Sequence, residues 1–225
     1  MKSTILCTLQ DYGIGVDPSW YKETASLTRT KTPPMQMTVL DVTKQIFAST
    51  HRRLLNAVED LADEELARRP TPGSHSIGFE LWHAARANDA FAVLLSTMTP
   101  ALRERLGTVE QIWMSEALAE AWHLDPARLG PYQSGTGMND EDAAAVQLPA
   151  KPVLVDYARR AFAAAEAAVD AVDDRDAVTV VPSGGKWPGD QTVVWYILFY
   201  YGHDDWVLGY TSALRRTQGL KRVES

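Results

Sequence analysis

The chain has a single cysteine, Cys7, among its 225 residues. An intramolecular disulfide framework and a thiolate zinc cluster are both excluded by that count. Positive charge is short as well. Lysine and arginine total 22 against 29 aspartates and glutamates, leaving a formal charge of −7 with no basic stripe to offset it. Such a balance argues against a nucleic-acid or membrane-surface partner. Long apolar runs are missing: the strongest, 193–201, falls far below the roughly 20 residues of a membrane span. The apolar stretch 4–9 is too short for a signal-peptide core and has no small-residue cleavage site after it. A cytoplasmic protein is the expectation. Two nucleotide and hydrolase templates are also missing. No Gly-x-x-x-x-Gly-Lys-Ser/Thr loop occurs, since Ser183-Gly-Gly-Lys186 runs into Trp-Pro rather than a helix start. No Gly-x-Ser-x-Gly elbow is present.

What remains is a sequence with 45% hydrophobic and 23% charged residues, the composition of a globular protein. Residues 1–36 lack sustained periodicity and end in an extended Lys-Thr-Pro-Pro segment. They read either as an extension draped on the domain through Trp20 and Tyr21, or as a start codon assigned too early. Residues 37–225 read as one helical domain. Thr38 and Asp41 form a capping box for a helix to about Asp63. Its apolar side is Val39, Val42, Ile46, Phe47, Leu54, Val58 and Leu61, which leaves His51 off the stripe and solvated. Ser76 caps a second helix to about Thr97, with Phe79, His83, Ala87, Ala90 and Leu94 on one face. Thr108 and Gln111 begin a third through Trp113, Leu118 and Trp122. The Gly- and Pro-rich segment 125–138 is irregular, and long insertions of this kind are often functional. An acidic turn follows at 139–146. Pro152 opens an alanine-rich helix to about Val172. Residues 178–181 suit a short strand or an extended linker.

The organising stretch is the last, 191–216. Steps of three and four from His203 collect Tyr196, Phe199, Tyr200, Trp206, Val207, Tyr210 and Leu214 on one face. Arg215 and Arg216 suit its C-terminal turn, and Gly219 ends it. Four long amphipathic helices make an all-α bundle, an architecture that places sites between facing helices.

His83 and His203 therefore stand on apolar faces of different helices. Imidazole pairs suit zinc or nickel, and a catalytic zinc normally takes three protein ligands. A third is not evident: Val207 lies one turn after His203 and Phe199 one turn before. Asp204 and Asp205 are turned about 100° and 200° away, and Asp89 lies about 240° around its helix from His83. Tyr196, Tyr200, Trp206 and Tyr210 exceed what packing needs and, with Phe79 and Val207, are candidates to line a pocket.

The segment 76–86 around His83 resembles the second-helix signature of the DinB-like (DinB/YfiT) proteins. Residues 110–113, Gly135-Thr-Gly137 and the acidic turn resemble the middle of one subgroup. The spacing Thr192-Val-Val-Trp, His203, Gly209, Arg215 and Leu220 is similar to its last helix. The resemblance covers about 37–222. It implies an up-down-down-up four-helix bundle, a homodimer, and a divalent metal held by His83, His203 and a third residue at the position of Val207. It further implies thiol S-transferase-type chemistry with a low-molecular-weight thiol. Here Val207, which has no donor atom, occupies the third ligand position, and Tyr210 stands where Gln or Glu is common. Two functions follow: a metalloenzyme with a partly degenerate site, or a bundle that has lost its metal and binds a small apolar or aromatic ligand or a protein partner. Zinc or nickel is the metal expected of the first.

Overall fold

The computed structural model describes residues 37–185 and 189–221; the segment 1–36 and its two readings lie outside the described residues. Four long helices carry the structure: α1 (Val39–Glu59), α3 (Ile77–Met98), α8 (Lys151–Asp170) and α10 (Val193–Thr217). Between them run short elements, α2 (Asp63–Ala67), α4 (Pro100–Leu106), α5 (Ile112–Ser115), α6 (Leu118–Ala121), α7 (Asp140–Ala145) and α9 (Asp174–Ala177). Two-residue strands, β1 (Val180–Val181) and β2 (Gln191–Thr192), pair antiparallel and lead the chain into α10.

Local chemistry sets the helix ends. The Thr38–Asp41 capping box starts α1, and the Ser76 hydroxyl accepts from the Phe79 N–H at the start of α3. Gly219, at φ +74°, follows α10, with the Leu220 N–H returning to the Arg215 carbonyl at 2.9 Å. Reciprocal lysines tie α1 to α8: Lys44 Nζ donates to the carbonyls of Asp170 and Val172, and Lys151 Nζ to those of Glu59 and Leu61. Each lysine thus satisfies orphan carbonyls at the other helix's end.

Those contacts fix direction. The lysine ties run α1 and α8 antiparallel, and Phe47 against Phe91 with His51 against Asn88 does the same for α1 and α3. His51 with Asp204 and Asp60 with Arg215 make α1 and α10 parallel. The order is therefore up-down-down-up.

Two expectations change. The 108–122 helix is instead the two single turns α5 and α6, broken at Ala117, which is left-handed at φ 48°. The buried stripe of α1 is also shifted: Val39 and Val42 are exposed, while Leu40, Thr43, Phe47, Thr50, His51, Leu54 and Val58 are buried. His51 is thus 1% exposed rather than solvated. The reason is register. Phe47, His51, Leu54 and Val58 follow one another at steps of four, three and four, a perfect helical stripe interrupted only by polarity.

The core has two apolar clusters. One gathers Leu54, Trp82, Trp113, Tyr157, Phe162 and Val207, the other Phe47, Phe91, Leu102, Val169 and Ile197. On α1 and α3 the polar residues His51 and Asn88 fall between members of the two clusters, and the candidate site begins there.

Candidate functional site

α3 and α10 run antiparallel, and His83 and His203 meet across them with their Nε2 atoms 3.0 Å apart. His83 is half-buried, and the His203 side chain is 23% exposed, so the pair has a solvent side. Each ring is fixed from behind. His83 Nδ1 lies 2.6 Å from the Ser134 carbonyl oxygen, and His203 Nδ1 lies 3.0 Å from Asp204 Oδ1. A carbonyl and a carboxylate only accept, so both Nδ1 atoms carry hydrogen, and a ring without a second proton turns an Nε2 lone pair toward the other. Burial, reinforced by the neighbouring His203, holds His83 below the ordinary histidine value, which favours that neutral form. Two lone pairs at this distance repel unless a shared proton or a cation lies between them.

Ser134 is delivered by the irregular 130–138 loop, and a buried cation builds that loop. Arg86, 2% exposed, donates Nε to the Gln133 carbonyl and Nη2 to the Tyr132 carbonyl and to Gln111 Oε1. Its Nη1 reaches Asp89 Oδ2 at 3.0 Å, and its guanidinium lies 4.8 Å from the Trp113 ring centroid. Asp89 also accepts from the N–H groups of Ile112 and Trp113 and from the Tyr157 hydroxyl. Asp89 is therefore committed to holding α5 and does not complete a metal shell. Burial pushes the Tyr157 phenol far upward, so it stays a neutral donor. Gly135, at φ +87°, lies so close to α3 that a Cβ would stand 2.7 Å from the Phe79 ring. Only glycine lets the loop approach this near.

Behind His203, Asp204 is fully buried although its neighbour Asp205 is exposed. Its Oδ2 accepts from Asn88 Nδ2 at 2.8 Å and from His51 Nε2 at 3.2 Å. His51 Nδ1 lies 2.7 Å from Glu166 Oε1 on α8, whose side chain is 34% exposed. The His51 ring stacks on Phe162 at 4.3 Å and meets the Phe47 edge at 4.5 Å. Burial pulls His51 down most strongly of all influences, but the hydrogen bonds with Asp204 and Glu166 outweigh it, so its net shift is upward. Burial would raise Asp204, yet the His203 and His51 hydrogen bonds outweigh that and hold its carboxyl below the usual range. A hydrogen-bonded series from Glu166 through His51 to Asp204 thus reaches the dihistidine pair from the surface.

The remaining candidates divide. Phe79 lies parallel to His83 with ring centroids 6.5 Å apart, and Val207 is fully buried in the same core cluster. Tyr210 is half-buried and stacks on Trp206, itself 64% exposed. Tyr196 instead belongs to the other cluster, and Tyr200 stacks on Phe91 at 4.0 Å. Burial pushes the Tyr200 phenol up to about 12. The face holding Ala87, Ala90 and Leu94 is the least buried side of α3, not a tight interhelical seam. On the far side of Phe79, His75 Nδ1 lies 2.6 Å from Oε1 of the buried Glu80.

The residues sequence reasoning missed are His51, Asn88 and Glu166. Asp204 was weighed, but only as a ligand rather than as the support of His203.

The donor chemistry fits two metal ligands. Nitrogens each about 2.0–2.1 Å from a common tetrahedral zinc ion stand about 3.3 Å apart, close to the 3.0 Å between the two Nε2 atoms. Among the described residues no three His, Cys, Asp or Glu side chains gather to hold a metal ion, so the fit is of a two-imidazole anchor.

The DinB superfamily pattern matches residues 46–205, well over half of the chain. A search of curated proteins finds no match. Among solved structures, a conserved protein from Enterococcus faecalis is 20% identical, with a TM-score of 0.63, covering 80% of this chain and 97% of its own. YfiT from Bacillus subtilis, described as a probable metal-dependent hydrolase with an unusual four-helix bundle topology, is 14% identical with a TM-score of 0.51. It covers 84% of this chain and 94% of its own. At such identities these likenesses speak for the fold. No helix among the described residues is long and apolar enough to cross a membrane. With the bundle order, the His83–His203 junction and the match over 46–205 together, the chain belongs to the DinB superfamily.

Proposed function

We propose that this protein is a divalent-metal-dependent enzyme whose metal is anchored by His83 and His203, with water or a low-molecular-weight thiol as the nucleophile. One observation carries the reading: both rings spend their Nδ1 hydrogen on a fixed oxygen, and both aim Nε2 at one point from 3.0 Å apart. That arrangement of a backed imidazole is the one metal ligands adopt. A bound divalent ion supplies Lewis acidity that lowers the pKa of a water or thiol. The chain's residues do the rest. Ser134 and Asp204 hold the tautomers, Phe79 and Val207 form a dry wall, and the partly exposed Tyr210 and Trp206 offer an aromatic surface to an apolar substrate group. The YfiT description as a probable metal-dependent hydrolase supports the hydrolytic arm. The family resemblance supports the thiol arm and a homodimer.

A second reading rests on Val207, fully buried where a third ligand would stand. It makes the bundle a metal-free receptor for a small apolar or aromatic molecule or a protein partner. Metal content of the purified protein, with nickel or zinc added, separates the two. Near-stoichiometric metal that His83→Ala and His203→Ala each abolish supports the enzyme. No retention at any loading overturns it in favour of the receptor.

A further inference from the structure

The series of hydrogen bonds behind His203 extends further than support of one ring requires, and it engages all four long helices. Asp204 belongs to α10, Asn88 to α3, His51 to α1 and Glu166 to α8. We propose that His51 and Glu166 are positioning residues of the dihistidine site, setting the orientation of His203 through Asp204 from the opposite side of the bundle. The inference rests on the metal reading above and goes beyond it by assigning a task to two residues that touch neither ligand.

The argument is geometric. A free neutral imidazole prefers its hydrogen on Nε2, so presenting an Nε2 lone pair requires an acceptor held at Nδ1. For His203 that acceptor is Asp204 Oδ1, 3.0 Å away. A carboxylate turns about its own Cβ–Cγ bond, and its angle here is set by what holds the other oxygen. Asn88 Nδ2 and His51 Nε2 both hold Oδ2, at 2.8 and 3.2 Å. Asn88 is itself oriented, since its Nδ2 also donates to the Ala84 carbonyl and its Oδ1 lies 3.2 Å from His51 Nε2. His51 is fixed by Phe162 on its face, Phe47 at its edge, and Glu166 at Nδ1. Glu166, on α8, is the outermost member and the one with solvent access. A buttress of this kind around a ligand imidazole commonly governs metal affinity by about 10–100-fold.

A histidine buried solely for packing would be better replaced by an apolar residue, because every hydrogen bond here costs desolvation. Its placement against Phe47 and Phe162, with both ring nitrogens partnered, points to a task in the site.

The test compares His51→Gln and Glu166→Gln with wild type in nickel titrations and in long-range proton–nitrogen NMR of the histidine rings. Asp60→Asn, which weakens the remote Asp60–Arg215 pair, serves as a comparator of general destabilisation. Expected is nickel affinity about tenfold or more weaker for His51→Gln, a smaller loss for Glu166→Gln, and none for Asp60→Asn at a matched drop in Tm. Both glutamine variants should shift His203 away from the Nδ1–H tautomer without added metal. If His51→Gln fails to fold, Glu166→Gln, altered at a partly exposed side chain, decides the question. An unchanged His203 tautomer with affinities within about twofold of wild type, while His83→Ala still abolishes binding, overturns the positioning role alone. Failure of wild type to bind nickel overturns the metal reading instead, and the tautomer measurement then still decides whether His51 and Glu166 orient His203.

Discussion

His83 Nε2 and His203 Nε2 stand 3.0 Å apart although each ring already gives its Nδ1 hydrogen to an oxygen on the opposite side. Opposed lone pairs are unfavourable on their own, and the fold meets that cost through two separate structures. One is the loop carrying Ser134, pinned by Arg86. The other is the buried chain from Asp204 to Glu166. Sites with such support are held in place by many weak constraints, each of which a single substitution can remove.

The loop support depends on Gly135. With φ +87° and a Cβ position 2.7 Å from the Phe79 ring, Gly135→Ala must move the loop or the ring. Backbone strain of this kind costs about 1–3 kcal/mol. Chemical denaturation should show that loss, and nickel binding should weaken as Ser134 leaves His83. A variant of wild-type stability and affinity would mean the loop does not set the His83 tautomer.

The pH profile tests the other support. His51 has its folded-state pKa raised, so its contribution is fully present below the unfolded value near 6.5 and is lost as pH rises through the folded value. Asp204 is lowered, so its contribution is present above the unfolded value near 3.8 and is lost as pH falls through the folded one. Both contributions coincide between about pH 4 and pH 6.5. The stability difference between wild type and His51→Gln should therefore be largest near pH 5–6 and shrink as pH rises above about 6.5 through the folded value. A difference that does not vary with pH would show that His51 is not an imidazolium in the fold.

These two supports also mark how far the sequence could be read. Bundle class, the four long helices, their caps and the histidine pair were legible, because periodicity and capping chemistry are local. The His51 network was not. On α1 the apolar residues Val39 and Val42 outvoted a stripe whose members include Thr43, Thr50 and His51, and only tertiary partners reveal that these polar residues face inward. Asp204 was hidden by Asp205, since adjacent acids look alike until one is buried and the other exposed. Gly- and Pro-rich composition gave the 125–138 loop but not that its backbone carbonyls serve Arg86 and His83. One signal was available: His51 lies four residues after Phe47 and three before Leu54, helical spacing that places a polar residue in line with the core.

Arg215 illustrates a purely structural buried charge. It is 2% exposed and donates to both oxygens of Asp60, at 2.8 and 2.9 Å, and to the Ala57 carbonyl. Asp60→Ala leaves that guanidinium buried with backbone partners alone. Urea unfolding should register a loss of about 1–3 kcal/mol. Nickel affinity should be unchanged. A coupled loss of affinity would mean the α1–α10 contact transmits to the site.

Val207 decides between enzyme and receptor. It is fully buried one turn beyond His203, in the core cluster that also holds Phe79 and Trp82. Val207→His inserts a larger polar ring into a packed core, and without metal the variant should lose about 1–3 kcal/mol. With nickel the same ring becomes a third nitrogen donor beside His83 and His203. Metal should then raise Tm in the variant more than in wild type, and affinity should increase by at least about tenfold, equivalent to about 1.4 kcal/mol. That gain would show a cavity still shaped for coordination, in which wild type holds its metal by two imidazoles and a ligand from solvent or substrate. Destabilisation with no gain would show that the cavity has closed around valine, leaving the two histidines to share a proton rather than a metal.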